Sequence, residues 1–164
     1  MSNVMEVIPA ADTVKTGVRD VKALAKGLTE ALADTYRLVF KTHAYHWNVE
    51  GPLFFSIHSL TDAQYPDMFD AADVIAERIR ALGQLAPFRL SDVIAASVVK
   101  DAAALPDAVA IAEDLAQDHE QVAKRMHGLI DLAEKQKDPV TVDLITTRCA
   151  FHEKAAWMLR ASAK

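Results

Sequence analysis

Apolar residues recur every three or four positions along four long stretches of the chain, which is the period of an α-helix with one buried face. In residues 18–49 this stripe ends in two histidines and comprises Leu28, Leu32, Tyr36, Val39, His43 and His46. In residues 53–82 it comprises Ile57, Met68, Ile75, Ile79 and Leu82. In residues 106–137 it comprises Ile111, Leu115, Val122, Met126, Leu129 and Leu132, and from residue 138 onward Val142, Ile145, Cys149, Ala156 and Leu159. The pattern predicts four long helices.

Glycine and proline residues indicate where these helices end and begin. The run Glu50-Gly51-Pro52 separates the first two helices, and Gly83 is the expected cap of the second. Pro139 occupies the favoured first position of the last helix. Pro66 lies inside the second helix, but the apolar period resumes in phase after it, so we predict one helix with a bend.

A long connection, residues 84–106, separates the second and third helices and contains the run LSDVIAAS. Ser91 or Asp92 is a suitable cap for a short helix in this run. The predicted fold is therefore all-α, a four-helix bundle with a short extra helix in the connection between helices 2 and 3. Residues 18–164 form the bundle domain, and residues 1–17, which lack a sustained period, form a flexible N-terminal tail.

Composition narrows the class of protein. The chain has 164 residues, 51% of them apolar, and a net charge of −5, which favours a soluble helical domain and does not favour generic nucleic-acid binding. No run of eighteen apolar residues and no secretory signal is present, so we expect a cytoplasmic protein. The single cysteine, Cys149, has apolar helical neighbours and is predicted to be a buried, inert thiol.

The second helix carries two pairs of metal-binding residue types, each at a spacing of four. His58 and Asp62 form one pair, and Asp73 and Glu77 form the other. The fifteen residues from His58 to Asp73 span about 22 Å of helix, far more than metal–ligand bonds of about 2 Å allow. The pairs are therefore either unrelated surface charges or parts of one site completed by a second, antiparallel copy of the helix. Tyr65 and Phe69 lie on the same stripe, away from the predicted core, which favours a face covered by another subunit.

The run HWNVEG, followed by His58, Asp62, Asp73 and the run AERIRALG, resembles the signature of the Dps family, mini-ferritins that protect DNA during starvation. The resemblance covers nearly the whole chain and implies a ferritin-like bundle that assembles as a hollow dodecamer. In that family a ferroxidase site lies between two-fold-related subunits. The matching positions here are His46, His58, Asp62, Asp73 and Glu77.

The resemblance implies oxidation of Fe(II) by hydrogen peroxide, or less readily by dioxygen, with ferric mineral stored in the shell. A mixed histidine and carboxylate set suits iron, with manganese, zinc and cobalt as rivals. The chain contains no Glu-x-x-His motif, which argues against a di-iron site inside one bundle. Whether the site holds one iron or two stays open. Trp47 either relays an electron or packs at an interface, and His43 is expected in the core or behind the ligands.

The remaining candidates have structural interpretations. His119, His127 and His152 lack carboxylates at convincing spacing and are predicted to be structural or surface residues. Asp138 is expected to cap the last helix. The resemblance implies that Asp143 could line a pore through which iron enters the shell. Two rival functions are compatible with the same helical pattern: a helical interaction dimer without metal, and a nucleoid-associated shell protein that binds DNA with a mainly architectural role.

DNA binding in this family often uses a lysine-rich tail, and this chain lacks one. Residues 1–18 contain only Lys15 as a lysine, against Glu6 and Asp12, so few phosphates can be neutralised. We expect the full-length protein to leave plasmid DNA unretarded in a low-salt gel. Retardation that disappears in Lys15→Ala would instead support the nucleoid-associated function.

Overall fold

The computed structural model describes residues 14–164, and within them five helices and no strands. The helices are α1 (Val21–Asn48), α2 (Phe54–Ala81), α3 (Leu90–Ala96), α4 (Ala108–Lys135) and α5 (Pro139–Ser162). The four long helices form the bundle, with α1 against α2 and α4 against α5, and the predicted all-α class is confirmed. Most of the predicted tail lies outside the described residues, and its flexibility stays a prediction.

The buried face of α1 is rotated from the predicted one. Tyr36 is 44% exposed and Val39 and His43 are only partly buried, whereas Thr35 and Thr42 are fully buried. Leu28, Leu32 and His46 of the predicted stripe are buried, but the centre of the observed core stripe lies about 60° around the helix from that of the predicted one. The prediction was wrong here because it followed apolar residue types, while the core uses two threonines in place of the tyrosine.

Helix α2 is continuous through Pro66, as predicted, and its predicted core residues are all buried. Proline has no N–H, so the carbonyl of Asp62, four residues earlier, has no intrahelical donor. The hydrogen bond that the helix loses is therefore at the backbone carbonyl of Asp62, one of the predicted metal ligands. Pro66 itself is exposed, on the same side of the helix as the exposed Phe69.

The short helix α3 begins one residue before Ser91, and Arg89 occupies its N-cap position. The predicted cap, Ser91 or Asp92, is therefore wrong; Asp92 lies in the first turn and binds the Arg89 guanidinium at 2.8 Å. The chain just after α3 is held by the fully buried Asp34 of α1. Its carboxylate accepts from Val98 N–H at 2.7 Å and from Arg125 at 3.0 Å, which fixes the connection against α1 and α4.

The bundle interior also contains ionic and imidazole pairs. Lys41 of α1 binds Asp118 at 2.6 Å and Asp114 at 2.7 Å, both on α4. His119 and His152 share a hydrogen bond of 2.8 Å between their Nδ1 atoms, and burial lowers the pKa of His119 to about 3. These two histidines are structural, as the sequence predicted. Cys149 is buried, also as predicted, and none of the described helices combines the length and apolar character needed to span a membrane.

The start of α5 is fixed by a buried ion pair. Asp138 caps the helix by accepting from Thr141 N–H at 3.0 Å, and both its oxygens accept from Arg78 of α2 at 2.7 Å. Burial acts to raise the pKa of Asp138, but the hydrogen bonds from Arg78 and Thr141 outweigh it and the pKa is lowered. Asp138 thus ties α5 to α2, as well as capping α5 as predicted.

We expect Asp138→Asn to destabilise the fold by about 2 kcal/mol, since it removes charge-assisted hydrogen bonds from a buried site. Because the folded pKa is lowered, the carboxylate's contribution is present above its ordinary pKa, near 4, and is lost as the pH falls below it. Urea unfolding of both proteins at neutral and acidic pH measures this difference. Asp107→Asn is the matched control, because Asp107 caps α4 in the same way but is exposed. Equal losses in both variants would contradict the role of the Arg78 pair.

Candidate metal centre

Two histidines join the end of α1 to the start of α2 by reciprocal hydrogen bonds. The Nδ1 of His46 lies 3.0 Å from the carbonyl oxygen of His58, and the Nδ1 of His58 lies 2.9 Å from the carbonyl oxygen of His46. The two rings stack with centroids 3.7 Å apart. Thr61 adds a contact of 3.2 Å from its hydroxyl oxygen to the Nδ1 of His46.

These contacts determine which ring nitrogen carries the proton. A carbonyl oxygen only accepts hydrogen bonds, so each histidine donates from Nδ1. In the neutral rings Nε2 then keeps its lone pair, which is the form that binds a metal ion. Histidine ligands in metal sites are commonly held by such a bond from the second nitrogen to a carbonyl or carboxylate. These contacts leave the Nε2 atoms of both histidines without a proton in the neutral form.

Asp62 lies beside this pair. Its Oδ1 is 3.9 Å from the Nε2 of His46, and its side chain is 63% exposed. The Tyr65 hydroxyl donates to the same oxygen at 3.4 Å. His46, in contrast, is 8% exposed, so the imidazole is sheltered while the carboxylate remains accessible from solution.

His43 occupies the position behind the ligands rather than the centre of the core. Its ring stacks on Tyr65 at a centroid distance of 4.0 Å and contacts Trp47 at 4.1 Å. Trp47 is 59% exposed and touches the site only through His43 in these stacking contacts. The structure is consistent with both sequence-based interpretations of Trp47.

The second predicted pair, Asp73 and Glu77, lies further along α2 and is exposed. The fifteen-residue separation from His58 persists because the helix is continuous, so one chain does not bring the two pairs together. Among residues 14–164, three potential ligand atoms converge within 4.8 Å only at His127, Cys149 and Glu153. The predicted site roles stay predictions for all six residues: His46, Trp47, His58, Asp62, Asp73 and Glu77.

Large apolar side chains surround the predicted ligands on the outer face of α1 and α2. Phe40 is 64% exposed, Phe55 79% and Phe69 54%. Tyr36, His43, Tyr65, Pro66 and Phe69 line a groove between the two helices. Monomeric proteins rarely expose an apolar patch of this kind, and such patches indicate contact surfaces.

Similarity to known proteins identifies the structural class to which the chain belongs. A family model described as a ferritin-like domain matches residues 25–164, so the chain belongs to the ferritin-like proteins. An uncharacterized low temperature-induced protein of Nostoc sp. is 36% identical over 136 residues, 82% of this chain and 76% of that protein.

Two further relatives give the family within this class. The DNA protection during starvation protein of Helicobacter pylori is 35% identical over 79% of this chain and 90% of its own length. The crystal structure of the Dps protein of Vibrio cholerae O1 superposes with a TM-score of 0.85 at 27% identity, covering 99% of this chain and 100% of that one. That protein is described as a member of a broad superfamily of ferritin-like diiron-carboxylate proteins. The chain belongs to the Dps family.

We expect Phe69→Arg to reduce the size of the assembly formed in solution, because burying a charge without a partner opposes association. The folded chain should be unaffected, since Phe69 is half-exposed. Sedimentation velocity measures the change in assembly, and circular dichroism measures the fold. Phe69→Leu, which keeps the side chain apolar, is the control. An unchanged sedimentation coefficient in the arginine variant would show that this face is not an interface.

Proposed function

We propose that this protein is a ferroxidase and iron-storage mini-ferritin that oxidises Fe(II) with hydrogen peroxide or dioxygen and protects against oxidative damage. The observation that carries the proposal is the preoriented pair His46 and His58, with Asp62 beside it at the surface. Imidazole and carboxylate donors suit Fe(II), and also Mn, Zn or Co. The ferritin-like diiron-carboxylate description of the Vibrio relative favours iron.

The site is completed by a second copy of the chain. In an antiparallel crossing of two α2 helices, His46, His58 and Asp62 of one copy face Asp73 and Glu77 of the other, and two-fold symmetry makes two such sites. Three observations support this arrangement: the exposed carboxylates of Asp73 and Glu77, the separation of about 22 Å between the two pairs at about 1.5 Å per residue, and the exposed aromatic face.

In this arrangement the two helices cross near Asp67 and Met68, midway between the two ligand pairs, and burial along α2 indicates which side chains face the other copy. Met68 is fully buried in its own bundle and Asp67 binds Arg148 at 2.7 Å. The exposed Pro66, Phe69 and Asp70 therefore provide the contact surface. A homo-oligomer built on this dimer, a hollow dodecamer, provides the cavity in which ferric mineral is stored.

In the reaction, iron is the substrate. The Nε2 atoms of His46 and His58 and the three carboxylates bind Fe(II) and leave coordination positions for the oxidant, unlike a closed structural site. Each hydrogen peroxide accepts two electrons, one from each of two Fe(II) ions, and leaves as water, so no hydroxyl radical is released. The protons come from water, which supplies the hydroxide and oxide of the ferric product. In this proposal Trp47 takes up an unpaired electron through His43, whose ring it contacts at a centroid distance of 4.1 Å.

The rival function, a nucleoid-associated shell, has one supporting observation. Several relatives, including the Helicobacter protein, are named for DNA protection during starvation. Protection of that kind needs no DNA contact if iron and peroxide are consumed together. The net charge of −5 and the single lysine before residue 19 favour the iron-based function.

A subunit-mixing experiment tests the intersubunit site. One variant carries His58→Ala and Asp62→Ala, and the other Asp73→Ala and Glu77→Ala. Each variant alone is expected to lose peroxide-driven oxidation of anaerobically loaded Fe(II) by about 100-fold or more, read as ferric absorbance, because every site lacks ligands. Shells reassembled from an equal mixture should regain about a quarter of wild-type activity, since half the dimers are mixed and each has one intact site.

Asp131→Ala is the matched control, because Asp131 is an exposed carboxylate on α4, outside both the predicted ligand set and the proposed contact surface. It should oxidise iron like the wild type. No recovery in mixed shells would argue against ligands from two copies. Full activity in both separate variants would overturn the ferroxidase proposal itself.

A further inference from the structure

A second group of metal-binding side chains lies in the groove between α4 and α5. His127 comes from α4, and Cys149 and Glu153 come from successive turns of α5. The three donor atoms lie within 4.8 Å of one another, and no other such group occurs in residues 14–164. None of these residues belongs to the predicted iron site on α1 and α2.

The distances match those between ligands of one metal ion. The Nε2 of His127 lies 2.9 Å from the Oε1 of Glu153, and the Sγ of Cys149 lies 3.7 Å from the same oxygen. Ligands bonded at 2.0–2.3 Å around a tetrahedral zinc ion lie about 3.3–3.8 Å apart. The His127–Glu153 contact must lengthen to reach this range, and the side chains of both residues are exposed and free to adjust.

The helical geometry makes this cluster a built feature of the fold. A spacing of four places Cys149 and Glu153 on one face of α5. The close packing of α4 against α5 then brings His127 over them from the other helix. Glu153 is remote from His127 along the chain, so sequence spacing does not reveal it as a carboxylate partner; His127 itself is exposed, in agreement with the predicted surface position.

We propose that His127, Cys149 and Glu153 form a binding site for a thiophilic divalent cation of the zinc class, separate from the iron-oxidation site. The combination of thiolate, imidazole and carboxylate is borderline to soft and favours zinc over iron, magnesium or calcium. Three protein ligands leave one tetrahedral position open to the solvent-exposed groove.

The Cys149 thiol is protonated when no metal is bound. Burial and the neighbouring Glu153 carboxylate raise the pKa of Cys149 to about 11. A bound cation replaces this proton, stabilises the thiolate and balances the Glu153 charge, so binding releases a proton. An ion pair between exposed side chains such as His127 and Glu153 contributes little to stability, so a gain in stability does not explain why the three residues lie together.

The Cys149 thiol lies next to the groove, against Glu153, which is one of the residues that line it. Cys149 is only 4% exposed, but its sulfur faces the exposed Glu153 side chain. The groove continues along α5 to Trp157, which is 67% exposed. The nearby Arg160 is neutralised by Glu120, with contacts of 2.6 and 2.7 Å, so it does not repel an incoming cation strongly.

Cobalt(II) is the probe of choice, because a cobalt–thiolate bond gives a near-ultraviolet charge-transfer band that oxygen and nitrogen ligands do not give. The assembled, reduced protein is titrated in the His58→Ala/Asp62→Ala background, which removes the predicted iron ligands. We expect one cobalt ion per chain with the charge-transfer band, displaced by zinc. This readout does not depend on iron oxidation, so it succeeds or fails independently of the proposed function.

Cys149→Ser should abolish the charge-transfer band, and His127→Ala should weaken cobalt binding by at least 10-fold. His127 is exposed, so its removal leaves the fold intact, which circular dichroism checks. Lys124→Ala, an exposed neighbour on α4 without a donor role, is the control and should bind like the background protein. Absence of the band in the background protein, or equal cobalt binding with and without the Cys149 thiol, would overturn the proposal.

Discussion

The reciprocal hydrogen bonds between His46 and His58 are the interaction on which the candidate metal centre depends. Each imidazole uses the backbone carbonyl of the other residue, so the rings orient each other and also join α1 to α2. A side chain held by backbone needs no further charged partner to keep its tautomer. The bond from His58 also satisfies the carbonyl of His46, which lies in the last turn of α1, where carbonyls have no intrahelical donor.

The length of α2 imposes the second constraint. A continuous helix holds its two pairs of acidic and imidazole side chains apart, and no loop movement within one chain brings them together. Assembly is therefore a chemical requirement of the proposed iron site as well as a means of enclosing a cavity. The exposed aromatic side chains beside the ligands supply an apolar surface for that assembly.

Two groups of carboxylates in this protein have different surroundings. Asp34, Asp118 and Asp138 are buried and paired with arginine or lysine, and they hold the bundle and its long connection together. Asp62, Asp73 and Glu77 are exposed. A carboxylate that stabilises the fold is already neutralised, whereas one that binds a cation must keep its charge available. The two proposed metal sites also differ in their chemistry, because only the site at His127, Cys149 and Glu153 includes a thiol.

The sequence was sufficient to predict the four long helices to within about three residues, because apolar periodicity, glycine and proline act locally. It also identified the spacing of His58, Asp62, Asp73 and Glu77, since a helix converts sequence spacing directly into distance. The buried face of α1 depends on packing between helices, because Thr35 and Thr42 lie in the core despite their polar type. The tautomers of His46 and His58, and the meeting of His127 with Cys149 and Glu153, likewise depend on contacts between separate helices, which no local pattern encodes.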